Sequence, residues 1–230
     1  MYFRFFLVLS GLFAYSFSSL AQSKSINDSE VWPQFYFQAP INSKWSVAAD
    51  YSHRYSGLFE SKTQWIGRVG LSYIIKKNLS LSAGYAYSEY FPASGIRREN
   101  RPWQQVQVDN SFRRLKLNHR LRLEERFIKD KSSERFNYRL RYQILALIPV
   151  LPGKRLSIGI SDEVMINAGN QVSGNKFDQN RLQAGLQIKL ANHVFLNPAY
   201  LYTYQIQSNK KDFRNIDIVR AGIIYKRESL

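Results

Sequence analysis

An alternation of apolar and polar residues with a period of two recurs along almost the whole chain and constrains its fold more than any other feature. The segment RFNYRLRYQI (residues 135–144) alternates polar with bulky apolar residues, and RLQAGLQIKL (residues 181–190) repeats the pattern. Successive side chains of a β-strand point to opposite faces, so this period indicates strands rather than helices. After the first twenty residues, no segment approaches the roughly 18 to 20 consecutive apolar residues of a membrane-spanning helix. The sequence therefore predicts an all-β protein.

Turn-forming residues divide the chain at regular intervals, and short connections alternate with longer polar ones. The short ones lie at 40–43, 76–78, 113–114, 151–154 and 191–193, and the longer ones near 57–61, 92–102, 129–133, 169–176 and 207–212. This order is typical of an up-and-down antiparallel barrel with tight turns at one end and loops at the other.

The segments between these connections are the candidate strands. They lie near residues 31–39, 44–55, 62–75, 79–91, 103–112, 115–128, 134–149, 155–168, 178–190, 194–206 and 214–226. Single-chain bacterial barrels have an even number of strands, so we expect about 12, with 10 as the alternative. The missing strand would lie in residues 22–30, unless one of the segments is irregular or split.

The two faces of the expected strands differ in size and polarity. Leucine, tyrosine, tryptophan, valine and isoleucine dominate one face, and glycine, serine, glutamine, arginine and glutamate the other. A soluble barrel buries its apolar face, but a soluble chain of this size normally forms about eight strands or fewer around a ligand. With the apolar face outward, a bilayer solvates it and the polar face lines a lumen. We therefore expect a membrane-spanning, up-and-down antiparallel β-barrel, with a soluble lipocalin-like barrel as the alternative.

The net charge is strongly positive, since 33 Lys and Arg stand against 17 Asp and Glu, a formal +16 at pH 7. Such a balance is typical of proteins that meet polyanions. Residues 1–21, however, have the pattern of a secretory signal peptide, with the basic start MYFR, an apolar run and small residues before Gln22. An uncleaved anchor helix is the alternative. Residues 22–230 would then form one transmembrane barrel domain, and we expect no nucleic-acid partner because a secreted chain rarely meets one.

Several segments carry a more specific pattern than simple alternation. ENRPWQQ (residues 99–105), HRLRLEERF (119–127), ERFNYRLRYQ (134–143), DEVMIN (162–167) and FDQNRLQAGL (177–186) together resemble the family known as domain of unknown function 2490. The resemblance covers the chain from about Val31 to Arg227. That family is similar to outer-membrane β-barrels of Gram-negative bacteria, so the resemblance implies this fold and a location in the cell outer membrane. It implies no activity, because the family has none assigned.

Charged residues on the polar face of several strands form the candidate site. They are Arg120, Arg122, Glu124, Arg126, Arg135, Arg139, Arg141, Glu163 and Arg181. In a symmetric hairpin Glu124 falls opposite Asn137 or Arg139, and the next turn brings Glu163 close to Arg141. Arginine pairs bidentately with carboxylates, and a low-dielectric lumen strengthens such pairs. The cluster is therefore either a salt-bridge network that braces or plugs the lumen, or an anion-selective constriction or binding site.

Aromatic residues near the ends of the expected strands suit the two lipid–water interfaces of a membrane. The expected interfacial anchors are Trp32, Trp45, Trp65 and Trp103. Basic residues of the loops can contact anionic headgroups. We therefore expect outer-membrane lipid and lipopolysaccharide as partners, and a small anionic solute is a further candidate.

The sequence contains no recognisable pattern for catalysis. P-loop, GxGxxG, GxSxG and HExxH patterns are absent, cysteine is absent and the three histidines are isolated, so we expect no catalytic residue, cofactor or metal. The leading hypothesis is a non-enzymatic barrel, either a narrow porin-like pore or a structural or envelope-interaction barrel with an arginine-rich lumen. The alternative is a lipid-modifying enzyme of the lipase or acyltransferase type, for which His119, on the apolar face, is the candidate residue.

Overall fold

Eleven β-strands make up the part of the chain that the computed structural model describes, namely residues 25–151, 155–172, 174–207, 209 and 211–227. They are β1 (Ser25–Pro40), β2 (Trp45–Ser56), β3 (Ser61–Lys76), β4 (Leu79–Tyr90), β5 (Arg97–Phe112), β6 (Leu115–Lys129), β7 (Glu134–Pro149), β8 (Leu156–Ala168), β9 (Phe177–Ala191), β10 (Val194–Ile206) and β11 (Phe213–Lys226). Each strand pairs with its neighbours in chain order, and β1 also pairs with β11. The sheet thus closes into a barrel, and the all-β prediction is confirmed.

The expected count of about 12 strands, with 10 as the alternative, is wrong for the described residues. The segment from Ser25 to Glu30, where part of a further strand was sought, is the first part of β1, a single strand of 16 residues. Because eleven is odd, the first and last strands run in the same direction, and β1 pairs with β11 in parallel. Parallel pairing also satisfies the backbone hydrogen bonds and leaves no free edge, so closure does not require an even number.

The two ends of the barrel differ in their connections. Three of the five at one end contain only two residues (77–78, 113–114 and 192–193), and we call this the short-turn end. The five at the other end contain four to eight residues (57–60, 91–96, 130–133, 169–176 and 207–212), and we call it the long-loop end. The expected alternation therefore holds for three of the five short-turn connections, whereas 41–44 and 150–155 are as long as several of the loops at the other end.

The strand β5 begins at Arg97, six residues before the expected start. Pro102 indicated a loop, but a proline lacks only one backbone donor and is tolerated where one side of the ladder is interrupted. Pro102 pairs with Tyr85 of β4. On its other side, the pairing of β5 with β6 is interrupted after Asn100 and resumes at Trp103 in the same register. The longer strand carries Glu99 and Arg101 to the inner face of the barrel, where both are buried.

The outer wall of the barrel carries a belt of exposed aliphatic side chains. It includes Val69, Leu71, Leu81, Val106, Leu121, Leu123, Leu140, Ile160, Leu182 and Val219, which are 37% to 57% exposed. Aromatic pairs flank the belt: Phe37 with Tyr225 and Trp45 with Tyr73 toward the short-turn end, and Phe127 with Phe136 toward the long-loop end. On most strands the apolar phase therefore faces outward and the polar phase faces the lumen, whereas Leu201 of β10 and Ile216 and Ile218 of β11 are buried on the inner face.

The expected signal peptide, residues 1–21, and the cleavage site before Gln22 lie outside the described residues. From residue 25 onward, the described part of the expected barrel domain forms one closed sheet. No helix in that part of the chain is long and apolar enough to cross a membrane.

Candidate functional site in the barrel lumen

A network of buried ion pairs occupies the lumen on strands β5 to β9. Its carboxylates belong to Glu99, Glu124, Glu163 and Asp178, and its guanidinium groups to Arg101, Arg120, Arg126, Arg139 and Arg141. We refer to these nine residues as the ionic cluster. Consecutive contacts share a residue, so the cluster is continuous across five neighbouring strands.

Glu124 lies at the centre of the ionic cluster and is fully buried. Its Oε2 accepts from Nη2 of Arg139 at 2.6 Å, and its Oε1 accepts from Nη1 of Arg141 at 2.8 Å. The Nε of Arg101 lies 3.8 Å from the same carboxylate. Arg141 also donates from Nη2 to both carboxylate oxygens of Glu163, at 2.8 and 2.9 Å. A buried charge is tolerated only when it is paired and hydrogen-bonded, and Glu124 meets both conditions.

Glu99 and Glu163 lie at the two ends of the ionic cluster. Glu99 accepts from Nη2 of Arg101 at 2.8 Å and from Nε of Arg126 at 2.6 Å. On the side of the short-turn end, Nη2 of Arg120 donates to Glu163 at 2.7 Å. Each of these carboxylates is thus shared by at least two arginines, which is the arrangement that compensates buried acids most completely.

A β-bulge adds Asp178 to the cluster. The pairing of β8 with β9 steps from Gln179 directly to Phe177, so Asp178 is an extra residue on β9. A bulge re-aims a side chain that strict alternation would point outward. Both Asp178 and Gln179 are consequently buried, and Asp178 accepts from Nη1 of Arg139 at 3.1 Å.

The register between β6 and β7 explains how the cluster forms. Glu124 lies opposite Arg139, one of its two expected partners, and Arg122 lies opposite Arg141. Two arginines directly opposite each other repel. The repulsion is relieved because Arg141 turns toward Glu124, while Arg122 turns away and donates from Nε and Nη2 to Gln105 at 3.0 and 2.7 Å.

Arg122 is also held by an aromatic ring. Its guanidinium carbon lies 4.2 Å from the centroid of Trp103. The indole in turn rests against β3 and β4, where Gly70 and Gly84 leave room for it. A Cβ at Gly84 would lie 2.4 Å from the indole and 2.2 Å from the carbonyl oxygen of Val69. Glycine is required here because the ring approaches the backbone so closely.

Three further arginines lie near Trp32 of β1, on strands β2, β9 and β11. We call Arg54, Arg181 and Arg220 the arginine triad, and the part of the lumen wall around Trp32 the triad wall. The guanidinium carbons of Arg54 and Arg181 lie 3.8 and 5.3 Å from the centroid of the indole. Arg220 is the register partner of Trp32 on β11. The indole itself packs in an apolar cluster with Ala199, Leu201, Ile216 and Ile218. On the triad wall these arginines therefore lie beside aromatic and apolar side chains, and none of them has a carboxylate closer than 4.0 Å among the described residues.

Eight of the nine predicted cluster residues face the lumen. They are Arg120, Arg122, Glu124, Arg126, Arg139, Arg141, Glu163 and Arg181. Arg135 does not join them: its side chain is 53% exposed and pairs with Asp130 at 3.0 Å. As the second residue of β7 it lies at the long-loop end, beyond the reach of the ionic cluster.

The prediction of a position at a membrane interface is wrong for two of the four tryptophans. Trp32 and Trp103 are only 6% and 7% exposed and lie in the lumen. Each was expected to start a strand, but β1 and β5 begin six or more residues earlier, so both rings lie within strands on the inner face. Trp45 and Trp65 lie on the outer wall, where Trp45 packs against Tyr73 with 4.9 Å between ring centroids.

Sequence reasoning missed Glu99, Arg101 and Asp178 of the cluster and Arg54 and Arg220 of the triad. For the first two a signal was present, because they continue the inward phase of β5 across Pro102. Asp178 could not have been found, since its inward direction depends on the bulge. The two triad arginines lie on the polar phase of their strands, but no neighbouring acid marked them.

Two cavities lie in the lumen. The larger has a volume of about 840 Å³ and extends from the short-turn end, and the smaller, of about 310 Å³, lies toward the long-loop end. Both are lined by Trp32, Arg54, Arg68, Arg141 and Arg181, so these residues mark the boundary between them. Eleven Lys and Arg against three Asp and Glu line the larger cavity. It is therefore strongly positive despite the ionic cluster beside it.

His119, the residue considered for an enzyme, lies on the outer wall. Its Nδ1 is 2.9 Å from the hydroxyl of Tyr142, and its register partner on β5 is Val108. Ser111, the nearest serine on that strand, instead pairs with Lys116. No group of three or more His, Asp or Glu among the described residues could hold a metal ion.

Comparisons with known proteins give a family but no activity. No curated protein matches the chain. Among solved structures, a mutant of the ferric enterobactin receptor of Pseudomonas aeruginosa matches 72% of this chain with 11% identity and a TM-score of 0.33. The match spans 35% of that chain, about a third of its length. The family model "Protein of unknown function (DUF2490)" matches residues 29–214. The chain therefore belongs to the DUF2490 family.

Proposed function

We propose that this protein is a non-enzymatic β-barrel of the Gram-negative outer membrane whose lumen is closed to free ion flow by the ionic cluster. The membrane location is supported by the outer belt of leucine, valine and isoleucine. Monomeric soluble proteins rarely expose contiguous apolar patches larger than a few hundred Å², whereas a belt around the whole barrel is what a bilayer solvates. Aromatic pairs at both edges of the belt suit the two interfaces.

The burial of Glu124 is the observation that carries the closed lumen. A carboxylate in an open aqueous channel retains contact with water, but this one has no accessible surface. Arginines from the two neighbouring strands surround it, Arg101 of β5 and Arg139 and Arg141 of β7. Further ion pairs continue the cluster across five strands. Arg141 of this cluster also lines both cavities, together with Trp32, Arg54, Arg68 and Arg181, and these side chains are proposed to divide the lumen. A structural or envelope-interaction barrel therefore fits this arrangement better than a porin-like pore does.

Outer-membrane lipid and lipopolysaccharide are the proposed partners of the outer wall. In bacterial barrels of this kind the longer loops face the outside of the cell. Near this end, Nζ of Lys62 lies 4.8 Å from the ring centroid of Phe91, and Arg98 and Lys129 have side chains 57% and 68% exposed. Basic groups beside aromatic rings suit the phosphate-rich headgroup region of an outer leaflet.

The location is tested by cell fractionation combined with gel migration of unheated and heated samples. We expect the protein in the outer-membrane fraction and a shift in migration after boiling, as a closed barrel unfolds. Recovery of the native protein from the soluble periplasmic fraction would refute the membrane assignment and favour the soluble lipocalin-like barrel.

The closed lumen is tested by conductance of the purified, refolded protein in planar bilayers. We expect no steady current from the native protein. The variant Glu124→Ala removes the central carboxylate and opens space between arginines, so it should produce anion-leaning current. The matched control Glu134→Ala changes an exposed acid at the barrel rim and should behave as the native protein. A steady current through the native protein would instead establish the narrow pore.

A further inference from the structure

The arginine triad lacks the counter-charges that the ionic cluster has. Arg54 and Arg220 have no carboxylate within 4.0 Å among the described residues, and Arg181 has only Glu163, at 4.0 Å. The Nε of each of the three is buried and without a hydrogen-bond partner. Their remaining contacts are neutral: Arg220 donates to Asn197 at 2.9 Å, and Arg181 donates to Gln179 at 3.3 Å.

The acids nearest the triad are engaged elsewhere. Glu30 accepts from the indole Nε1 of Trp32 at 2.7 Å and from Arg214 at 3.3 Å. Asp50 is paired with Arg68 at 2.8 Å. Glu163 is already paired with Arg141 and Arg120 of the ionic cluster, at 2.8 and 2.7 Å. No described carboxylate therefore remains to neutralise the three guanidinium groups.

Arg54 and Arg181 both lie close to the Trp32 indole. A guanidinium group that lies against an aromatic ring keeps its N–H bonds in its own plane, pointing past the ring edge. Both guanidinium carbons are close to the same indole, so they are no more than 9.1 Å apart, the sum of 3.8 and 5.3 Å. Both arginines line the larger cavity, so an oxyanion that enters it can approach both of them.

We propose that the arginine triad around Trp32 is a binding site for a phosphate-type oxyanion carried by a small solute that enters the larger cavity from the short-turn end. Lysines line the outer part of that cavity, at Lys76, Lys77 and Lys116, so the electrostatic potential draws an anion inward. The volume of about 840 Å³ leaves room for an organic group attached to the anion. The site depends only on the lumen, so it holds whether or not the barrel conducts ions.

A phosphate monoester suits this site better than a single carboxylate. A carboxylate offers two oxygens, which one arginine fork already satisfies. A phosphate monoester offers three terminal oxygens and a charge of about −1.5 to −2 at neutral pH, which can engage several guanidinium groups at once. Its source is either a soluble metabolite or the headgroup of a lipid, and the chemistry of recognition is the same for both.

Titration calorimetry on the refolded protein in micelles of a neutral detergent, at low ionic strength, tests the site. The probes are inorganic phosphate, glycerol 3-phosphate and dihexanoyl phosphatidate, a short-chain lipid with the same terminal group. We expect binding with a stoichiometry of one. Heat from glycerol 3-phosphate alone identifies a soluble solute, and heat from the phosphatidate alone identifies a lipid headgroup. Absence of binding for all three probes at millimolar concentration overturns the proposal.

Variants of the triad separate a built site from general positive charge. Arg54→Gln and Arg181→Gln each remove one charge-assisted donor, so affinity should fall about tenfold or more in each. Arg122→Gln removes an equal charge from the same cavity, but from an arginine held by Gln105 and Trp103, and should change affinity by less than about threefold. An equal loss in all three variants would show that the lumen attracts anions without a specific site.

Two further measurements guard against a folding artefact. Heat-modifiable migration identifies variants that still form the barrel, and only these enter the comparison. Arg54→Lys retains the charge but loses the planar fork, so it should fold as the native protein and bind phosphate more weakly than it. Native affinity in Arg54→Lys together with native affinity in Arg54→Gln would remove Arg54 from the site.

Discussion

The two walls of the lumen use the same residue type in opposite ways. On β5 to β9 the arginines are matched by Glu99, Glu124, Glu163 and Asp178, and most guanidinium groups touch two partners. Around Trp32 the arginines of the triad lie on aromatic and apolar surface with no carboxylate closer than 4.0 Å. A buried arginine therefore contributes to barrel stability where acids surround it, and provides unused hydrogen-bond donors where they do not.

The difference arises from the positions of the acids rather than of the arginines. Glutamate occurs on the inward phase of β5, β6 and β8, strands close enough for one carboxylate to reach arginines on either side. On β1 the acid Glu30 is taken by Trp32 and Arg214 before it can reach the triad. The first wall should therefore be sensitive to loss of a charge, and the second should be tolerant.

The strongest test of this contrast is Glu124→Gln. The change keeps the shape but removes the charge that holds Arg139 and Arg141, and breaking a buried ion pair typically costs about 3 to 5 kcal/mol. We expect a loss of this size in the free energy of unfolding, measured by urea titration in micelles. Glu134→Gln, which alters an exposed pair with Lys129, should stay within about 0.5 kcal/mol of the native protein. Equal effects of both changes would contradict a structural role for the cluster.

A smaller loss in the free energy of unfolding is expected from Gly84→Ala, which disturbs the Trp103 ring that contacts Arg122. The added Cβ would lie 2.4 Å from the Trp103 indole and 2.2 Å from a backbone oxygen, so strand or ring must move. Overpacking of this kind costs about 1 to 3 kcal/mol. Urea titration and the emission maximum of tryptophan fluorescence should both change. Gly67→Ala is the control, because the nearest atom to its Cβ would be 3.7 Å away and nothing need shift.

On the triad wall, Arg54→Gln should have a weaker effect than either. It removes a stacking contact with Trp32 but leaves no carboxylate without a partner, and such a contact is worth about 1 kcal/mol. We expect a change in the free energy of unfolding of about 1 kcal/mol or less. A loss comparable to that of Glu124→Gln would mean that the two walls do not differ.

The smallest change in the free energy of unfolding is expected from Arg135→Gln at the rim of the barrel. Its partner Asp130 is also accessible to water, and exposed pairs contribute about 0.5 kcal/mol or less. The same urea titration should detect almost no change, and raising the salt concentration should abolish any that remains. A large, salt-resistant loss would place Arg135 in the ionic cluster after all.

The fold could be predicted from the sequence because the strand period is uninterrupted over most of the chain. The alternation around Leu140 and Leu186 assigned both the strands and their outward faces, and the regular turns assigned their order. The strand count failed because an even number was imposed on eleven segments that had been recognised individually. Nothing in the alternation of a single strand specifies the direction of the strand with which it closes the barrel.

The site could be predicted only where strict alternation held. Glu124 and Arg139 lie on long regular strands joined by a four-residue loop, so counting residues reduced the expected partner of Glu124 to Asn137 or Arg139, and the structure has Arg139. Asp178 depends on a bulge, which appears only when two strands are aligned. Trp32 and Trp103 were misassigned because an apparent strand end was taken as an interface, although their phase already matched the inward residues.

The parallel seam between β1 and β11 has a consequence for how the barrel assembles. It joins residues about 190 positions apart, such as Ser25 and Phe213, whereas the other strand pairs form between chain neighbours. Hairpins can add one after another, but the ring cannot shut until the last strand has formed. Until then both outer strands expose unpaired backbone groups, which can pair with other chains. Closure of the ring thus depends on the strand pair whose residues are farthest apart in the chain.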